Sequence, residues 1–151
     1  SLFYEHLNTP VHDHVEYRRK EADKTYIHIT RNPRNVLVSW VRFNAYPVDE
    51  LHLLQEMKHV IEEMKLYSAW LKDRSVLTVR FESLFSDETL QQIAKVVDRE
   101  PVQDHLEKAW GGTRTWTGRH SIWQNAWTPT LEKHWELLGG GELERFLSYA
   151  N

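Results

Sequence analysis

Hydrophobic positions follow two different spacings along the chain, and together these spacings predict both strands and helices. Two short runs rich in β-branched and aromatic residues, KTYIHIT at 24–30 and SVLTVRF at 75–81, are typical of strands. The segments after each run carry apolar residues every third or fourth position, which favours helices starting at Pro33, over 49–72, and from Ser86 or Asp87. The strand–helix–strand–helix order predicts an α/β fold, a parallel sheet flanked by helices.

Capping residues predict where these helices begin and end. Asn32 precedes Pro33, and Thr128 precedes Pro129; each pair places an N-cap residue before a proline at the first helical position. Pro47 is the predicted end of the first helix. The predicted inward face of the long helix consists of Leu51, Leu54, Met57, Ile61, Met64 and Leu71.

Length and composition exclude several classes of protein. The 151 residues predict a single domain over 1–151, and a net charge of −3 provides no basic field for nucleic acid or an anionic membrane. No apolar run approaches the roughly 20 residues of a membrane span, and no signal-peptide pattern opens the chain. The absence of cysteine excludes disulfides and thiol chemistry and suits a reducing compartment. We therefore expect a cytoplasmic protein without nucleic-acid or membrane partners.

The seam between the strand at 24–30 and the helix after it carries the candidate chemistry. Ligands of open parallel sheets lie beyond the carboxyl ends of the strands, and a helix that starts there offers N–H groups to an anion. Arg31 stands at this place, and Ser39 lies about two turns into the helix. Two interpretations are equally good on these residues alone. Arg31 and Ser39 bind a phosphate, or Arg31 pairs with a carboxylate and Ser39 is an ordinary helix serine.

The segment RNPRN at 31–35, followed by Ser39, resembles the 3′-phosphate-binding segment of the sulfotransferases that use 3′-phosphoadenosine 5′-phosphosulfate (PAPS). The family usually has Asp where this chain has Asn35. The resemblance implies that Arg31 and Ser39 hold the 3′-phosphate of the donor PAPS or of its product, 3′-phosphoadenosine 5′-phosphate (PAP).

Three further segments resemble the same family in the same order. LFYEHL is similar to the family's strand with the catalytic histidine, which implies His6 as general base. SVLTVRFESLFSD places Phe81 where a tyrosine commonly packs beside the adenine. WTGRHSIWQNAWT resembles the late nucleotide-binding loop and implies that Gly118 and Arg119 contact the nucleotide, although Trp116 replaces the first arginine of that loop.

The resemblance also implies what this chain lacks. Sulfotransferases have a P-loop-related fold whose first strand, phosphate loop and helix hold the 5′-phosphosulfate, yet no Gly-Lys dipeptide occurs in this sequence. We therefore expect the first strand–loop–helix to be missing and the opened sheet to be covered by self-association into a homo-oligomer. PAPS is the implied donor, a small-molecule hydroxyl or amine is the implied acceptor, and no metal is implied.

Three functions remain open: sulfate transfer from PAPS, a non-catalytic module that binds nucleotide or a protein partner, and a P-loop-related small-molecule kinase. Arg31, Ser39 and the Arg119 loop favour the first two, because a kinase has no reason to bind a 3′-phosphate. Losing the donors of a phosphate loop costs on the order of a hundredfold in rate for each donor. The sequence therefore supports nucleotide binding better than turnover.

Overall fold

The computed structural model describes residues 15–98 and 123–149 of the chain. These ranges contain two strands and five α-helices, which are β1 (Ile27–Thr30), α1 (Pro33–Phe43), α2 (Glu50–Tyr67), β2 (Leu77–Arg80), α3 (Asp87–Val97), α4 (Pro129–Leu137) and α5 (Gly140–Phe146). Short 3-10 turns lie at Tyr17–Arg19, Ser68–Lys72, Phe81–Ser83 and Trp123–Asn125. The predicted α/β class is confirmed. None of the helices within the described ranges has both the length and the apolar character needed to cross a bilayer.

The sheet determines which residues meet at the candidate site. Strands β1 and β2 are parallel, with Ile27 opposite Leu77 and Thr30 opposite Arg80. Their carboxyl ends therefore lie at the same edge, and Arg31 and Phe81, which follow the two strands, become neighbours. Among the described residues the sheet has these two strands only. Self-association that covers a sheet edge stays a prediction.

Helix α1 begins as its sequence predicts and ends earlier. Asn32 is the N-cap, and its side-chain oxygen accepts hydrogen bonds from the backbone N–H groups of Arg34 and Asn35. The helix ends at Phe43, before Pro47, with Asn44 as the C-cap. Pro47 is therefore not the residue that stops the helix.

Helices α1, α2, α4 and α5 enclose the main core, whose buried side chains are Leu37, Val38, Val41, Leu53, Met57, Val60, Ile61, Leu131, Trp135, Leu143 and Leu147. The prediction that Leu51 faces this core is wrong, because 59% of its surface is exposed. Leu53 is fully buried instead. Two residues along a helix correspond to a rotation of about 200°, so the stripe that contains Leu53 and Met57 turns Leu51 toward solvent.

Candidate functional site

The fold brings three of the predicted site residues into contact. An Arg31 Nη1–H donates to Ser39 Oγ at 3.3 Å. The guanidinium carbon of Arg31 lies 4.5 Å from the centre of the Phe81 ring, a cation–π contact. Arg31 directly follows β1 and Phe81 directly follows β2, so both lie at the carboxyl edge of the sheet. Ser39 lies in α1 and contacts Arg31 there.

The Arg31 guanidinium is partly buried and forms no ion pair with a described carboxylate. Its Nε atom is buried and has no hydrogen-bond partner among the described residues. Burial lowers the pKa of Arg31, and the negative charge of Glu82 acts in the opposite direction. In the described part of the chain, no ion pair within 4.0 Å includes Arg31. A partly buried cation with a buried, unused N–H donor is an arrangement that an anionic ligand can complete.

The carboxylate whose charge acts on this cation, Glu82, forms its hydrogen bonds with other groups. Its Oε1 atom accepts the backbone N–H of Asn32 at 2.9 Å, and its Oε2 atom accepts the phenolic O–H of Tyr149 at 2.7 Å. Burial, and then this hydrogen bond, raise the pKa of Tyr149. Both oxygens of Glu82 thus have partners other than the guanidinium.

The N-terminus of α1 is not the anion site that the sequence predicts. The backbone N–H groups of Arg34 and Asn35 donate to Asn32 Oδ1 at 3.0 Å and 3.4 Å, and the Asn32 N–H donates to Glu82. These donors are satisfied within the protein, so the expectation of open helix N–H groups is wrong. An anion at this edge would be held by the side chains of Arg31 and Ser39.

The second arginine of the seam, Arg34, has the opposite surroundings. Its Nε–H donates to Glu144 at 2.7 Å, and its Nη1–H donates to Glu132 at 2.5 Å. Its Nη2 atom donates to both carboxylates, at 3.0 Å to Glu132 and 3.1 Å to Glu144. The guanidinium carbon also lies 4.6 Å, 4.7 Å and 5.5 Å from the ring centres of three tryptophans, Trp123, Trp127 and Trp135. We call Arg34 with these two carboxylates and three rings the Arg34 cluster.

The pKa shifts within the Arg34 cluster show that its arginine and carboxylates stabilise each other's charged forms. Burial acts to lower the pKa of Arg34, but the hydrogen bonds that Arg34 donates to Glu132 and Glu144 outweigh it, and the pKa is raised. The hydrogen bond from Arg34 lowers the pKa of Glu132. Pairing with a protein carboxylate, the interpretation weighed above for Arg31, thus describes Arg34.

Glu132 and Glu144 are not among the residues that the sequence predicts to matter at this edge of the fold. The one signal for Glu144 is its position on the buried stripe of α5, four residues after buried Gly140 and three before buried Leu147. A carboxylate on such a stripe needs a cation, since a buried unpaired charge is strongly unfavourable. For Glu132, which is partly exposed, no comparable signal exists.

The end of the late loop, at Trp123, is hydrogen-bonded to the first turn of α1. The backbone N–H of Trp123 donates to Asn35 Oδ1 at 3.1 Å, and Asn35 is only 2% exposed. The Trp123 and Trp127 rings meet edge to face at 5.5 Å. The side-chain oxygen of Asn35 thus joins helix α1 to the turn at Trp123–Asn125.

The remaining predicted site residues, His6, Gly118 and Arg119, lie outside the described residues. Comparison of the chain with protein-family models, curated proteins and solved structures gave no match. The contact of Arg31, Ser39 and Phe81 is therefore the physical basis for any functional argument.

Proposed function

We propose that this chain is a sulfotransferase-like protein that binds the 3′-phosphate of PAPS or PAP through Arg31 and Ser39. The observation that carries the proposal is the partly buried Arg31 guanidinium, whose buried Nε atom has no hydrogen-bond partner and whose Nη1–H donates to Ser39. A guanidinium offers a phosphate two parallel N–H donors, and a hydroxyl beside it adds a third.

Phe81 supports the proposal by orienting the cation. The ring is 8% exposed and packs with Val79 and Leu84 below the guanidinium of Arg31. A ring held in this way restricts the rotamers of Arg31 and lowers the entropy that a ligand must remove. Stacking of adenine on Phe81 stays a prediction.

The proposal concerns binding first and sulfate transfer second. Transfer to a hydroxyl or amine requires a general base, for which His6 is the candidate, and donors that stabilise the leaving 5′-phosphate. The 151 residues contain no Gly-Lys phosphate loop to supply these donors. We therefore expect nucleotide binding with weak or no turnover, as in a non-catalytic module of the same fold.

Calorimetric titration with PAP, and with adenosine 5′-phosphate as the ligand without a 3′-phosphate, tests the binding proposal. We expect PAP to bind at least about tenfold more tightly, because charge-assisted hydrogen bonds contribute roughly 1.5–3 kcal/mol. Arg31→Ala should abolish this preference, whereas Arg74→Ala, a matched change in an exposed turn, should preserve it. Equal and negligible heats for both nucleotides in the wild-type chain would contradict the proposal.

A transfer assay with PAPS and a simple phenol tests the second part. We expect little or no sulfated product. Robust turnover that disappears in His6→Ala would show that the chain has its own means of stabilising the leaving group, and the proposed restriction to binding would be wrong.

A further inference from the structure

Tyr149 and Glu82 form a contact beside Arg31 that the proposed phosphate site does not itself require. We propose that Tyr149 is a positioning residue, whose O–H holds the Glu82 carboxylate away from Arg31 and so keeps that guanidinium available for an anion. The inference deepens the proposed function and rests on it for the identity of the ligand.

Glu82 is the natural competitor for Arg31. It directly follows Phe81, whose ring covers the guanidinium, and its charge acts on Arg31. Even so, its oxygens are 2.9 Å from the Asn32 backbone nitrogen and 2.7 Å from the Tyr149 hydroxyl, and no ion pair with Arg31 occurs among the described residues. An internal carboxylate that turned to Arg31 would occupy the donors that a phosphate needs.

Tyr149 is itself held by groups outside the anion site. Its backbone N–H donates to the Glu144 carbonyl oxygen at 2.7 Å. The Arg80 guanidinium lies 4.8 Å from the centre of the Tyr149 ring, and its Nη2–H donates to the Ser148 carbonyl oxygen at 2.9 Å. The phenol is therefore a fixed donor, and it holds Glu82 without help from a ligand.

Removal of the phenolic hydroxyl separates this role from a general effect on folding. In Tyr149→Phe the ring over Arg80 remains, but Glu82 Oε2 loses its donor and is free to turn toward Arg31, on which its charge already acts. We expect the affinity for PAP to fall roughly tenfold, the effect of one charge-assisted contact. In a Glu82→Gln background the same Tyr149→Phe change should leave PAP affinity unaltered, because the competing charge is gone.

Two further variants control the comparison. Tyr17→Phe removes another tyrosine hydroxyl that donates to a carboxylate, Asp73 at 3.0 Å, before the start of β2 at the other end of the sheet. It should not change PAP affinity. Glu82→Gln alone keeps the side-chain shape and should tighten PAP binding several-fold, roughly three to ten times. This variant tests the inference even if Tyr149→Phe lowers stability.

A readout without nucleotide keeps this inference distinct from the proposed function. The Arg31 Nε–H resonance, assigned by its loss in Arg31→Lys, should move downfield in Tyr149→Phe and stay in place in the double variant with Glu82→Gln. If the wild type binds PAP, and Tyr149→Phe changes neither the Kd for PAP nor the Nε–H resonance of Arg31, this inference is wrong while the proposed function stands. No binding by the wild type would overturn the proposed function, and the resonance series would still decide whether Tyr149 restrains Glu82.

Discussion

Arg31 and Arg34 belong to one short motif, yet the fold treats them in opposite ways. Arg34 donates four hydrogen bonds to two carboxylates and faces three tryptophan rings. Among the described residues, Arg31 contacts the Ser39 hydroxyl and the Phe81 ring, and its Nε atom has no hydrogen-bond partner. The two arginines of one motif therefore have to be judged by their partners: Arg34 joins separate helices through two carboxylates, and Arg31, which forms no ion pair among the described residues, is the candidate for a ligand.

The difference follows from where each side chain starts. Arg34 lies in the first turn of α1, and its side chain reaches the two carboxylates of α4 and α5. Arg31 precedes the helix at the carboxyl edge of the sheet, where Glu82 is already bound to Asn32 and Tyr149.

Loss of Arg34 should have the largest effect on stability. Arg34→Met leaves the buried Glu144 carboxylate without its cation, and breaking a buried pair in this way costs about 3–5 kcal/mol. Urea unfolding followed by tryptophan fluorescence measures the change. As a control, Arg34→Met combined with Glu144→Gln should recover part of the loss. A decrease below about 1 kcal/mol in the single variant would mean that the Arg34 cluster does not hold the helices together.

The same substitution at Arg31 should have little effect on stability. Arg31→Met removes a partly buried cation with an unsatisfied donor and leaves no carboxylate without its partner, so we expect the free energy of unfolding to change by less than about 1 kcal/mol. The identical urea experiment measures it. If Arg31→Met destabilises the chain as much as Arg34→Met, Arg31 is a structural residue and the comparison fails.

The Arg34 cluster should also give the stability a pH dependence. Arg34 lowers the pKa of Glu132 in the folded state, whereas an unfolded glutamate titrates near about 4.3. The contribution is thus fully present above the unfolded value and is lost as the pH falls through the lower folded value. We expect the stability difference between wild type and Glu132→Gln to shrink between about pH 5 and about pH 3. A difference that stays constant over this range would contradict the pairing.

Ser39 should make the smallest contribution. Ser39→Ala removes one neutral hydroxyl from the proposed phosphate site, so PAP affinity should fall only about three- to tenfold. Titration of this variant beside Arg31→Ala gives the order of the two effects. A loss as great as that of Arg31→Ala would mean that Ser39 also fixes the guanidinium, rather than adding one donor to it.

The local features of the seam were predictable from sequence because they depend on neighbours in the chain. Asn32 and Pro33 specify the start of α1, and a parallel pair of strands is enough to bring Arg31 and Phe81 to one edge. The step from Arg31 to Ser39 is likewise fixed by helical geometry once α1 begins where it does.

The features that were missed depend on distant residues. The Arg34 contacts join positions 98 and 110 residues apart, and hydrophobic spacing contains no information about such pairs. The capping of α1 by the Asn32 side chain is local, but the backbone N–H of Asn32 itself donates to Glu82, 50 residues away. Leu51 was misplaced because two apolar stripes fit the α2 sequence, and only packing against α1 selects the one with Leu53.

The length of these connections has a consequence for the order of folding. Contacts across about a hundred residues form only after the loop between them has closed, an event that is slow relative to helix formation. We therefore expect α1 and α2 to associate early and the segment that ends in Tyr149 to dock late. If Tyr149 restrains Glu82 as we propose, the site around Arg31 is complete only after this segment has docked, and the time course of PAP binding during refolding would measure that step.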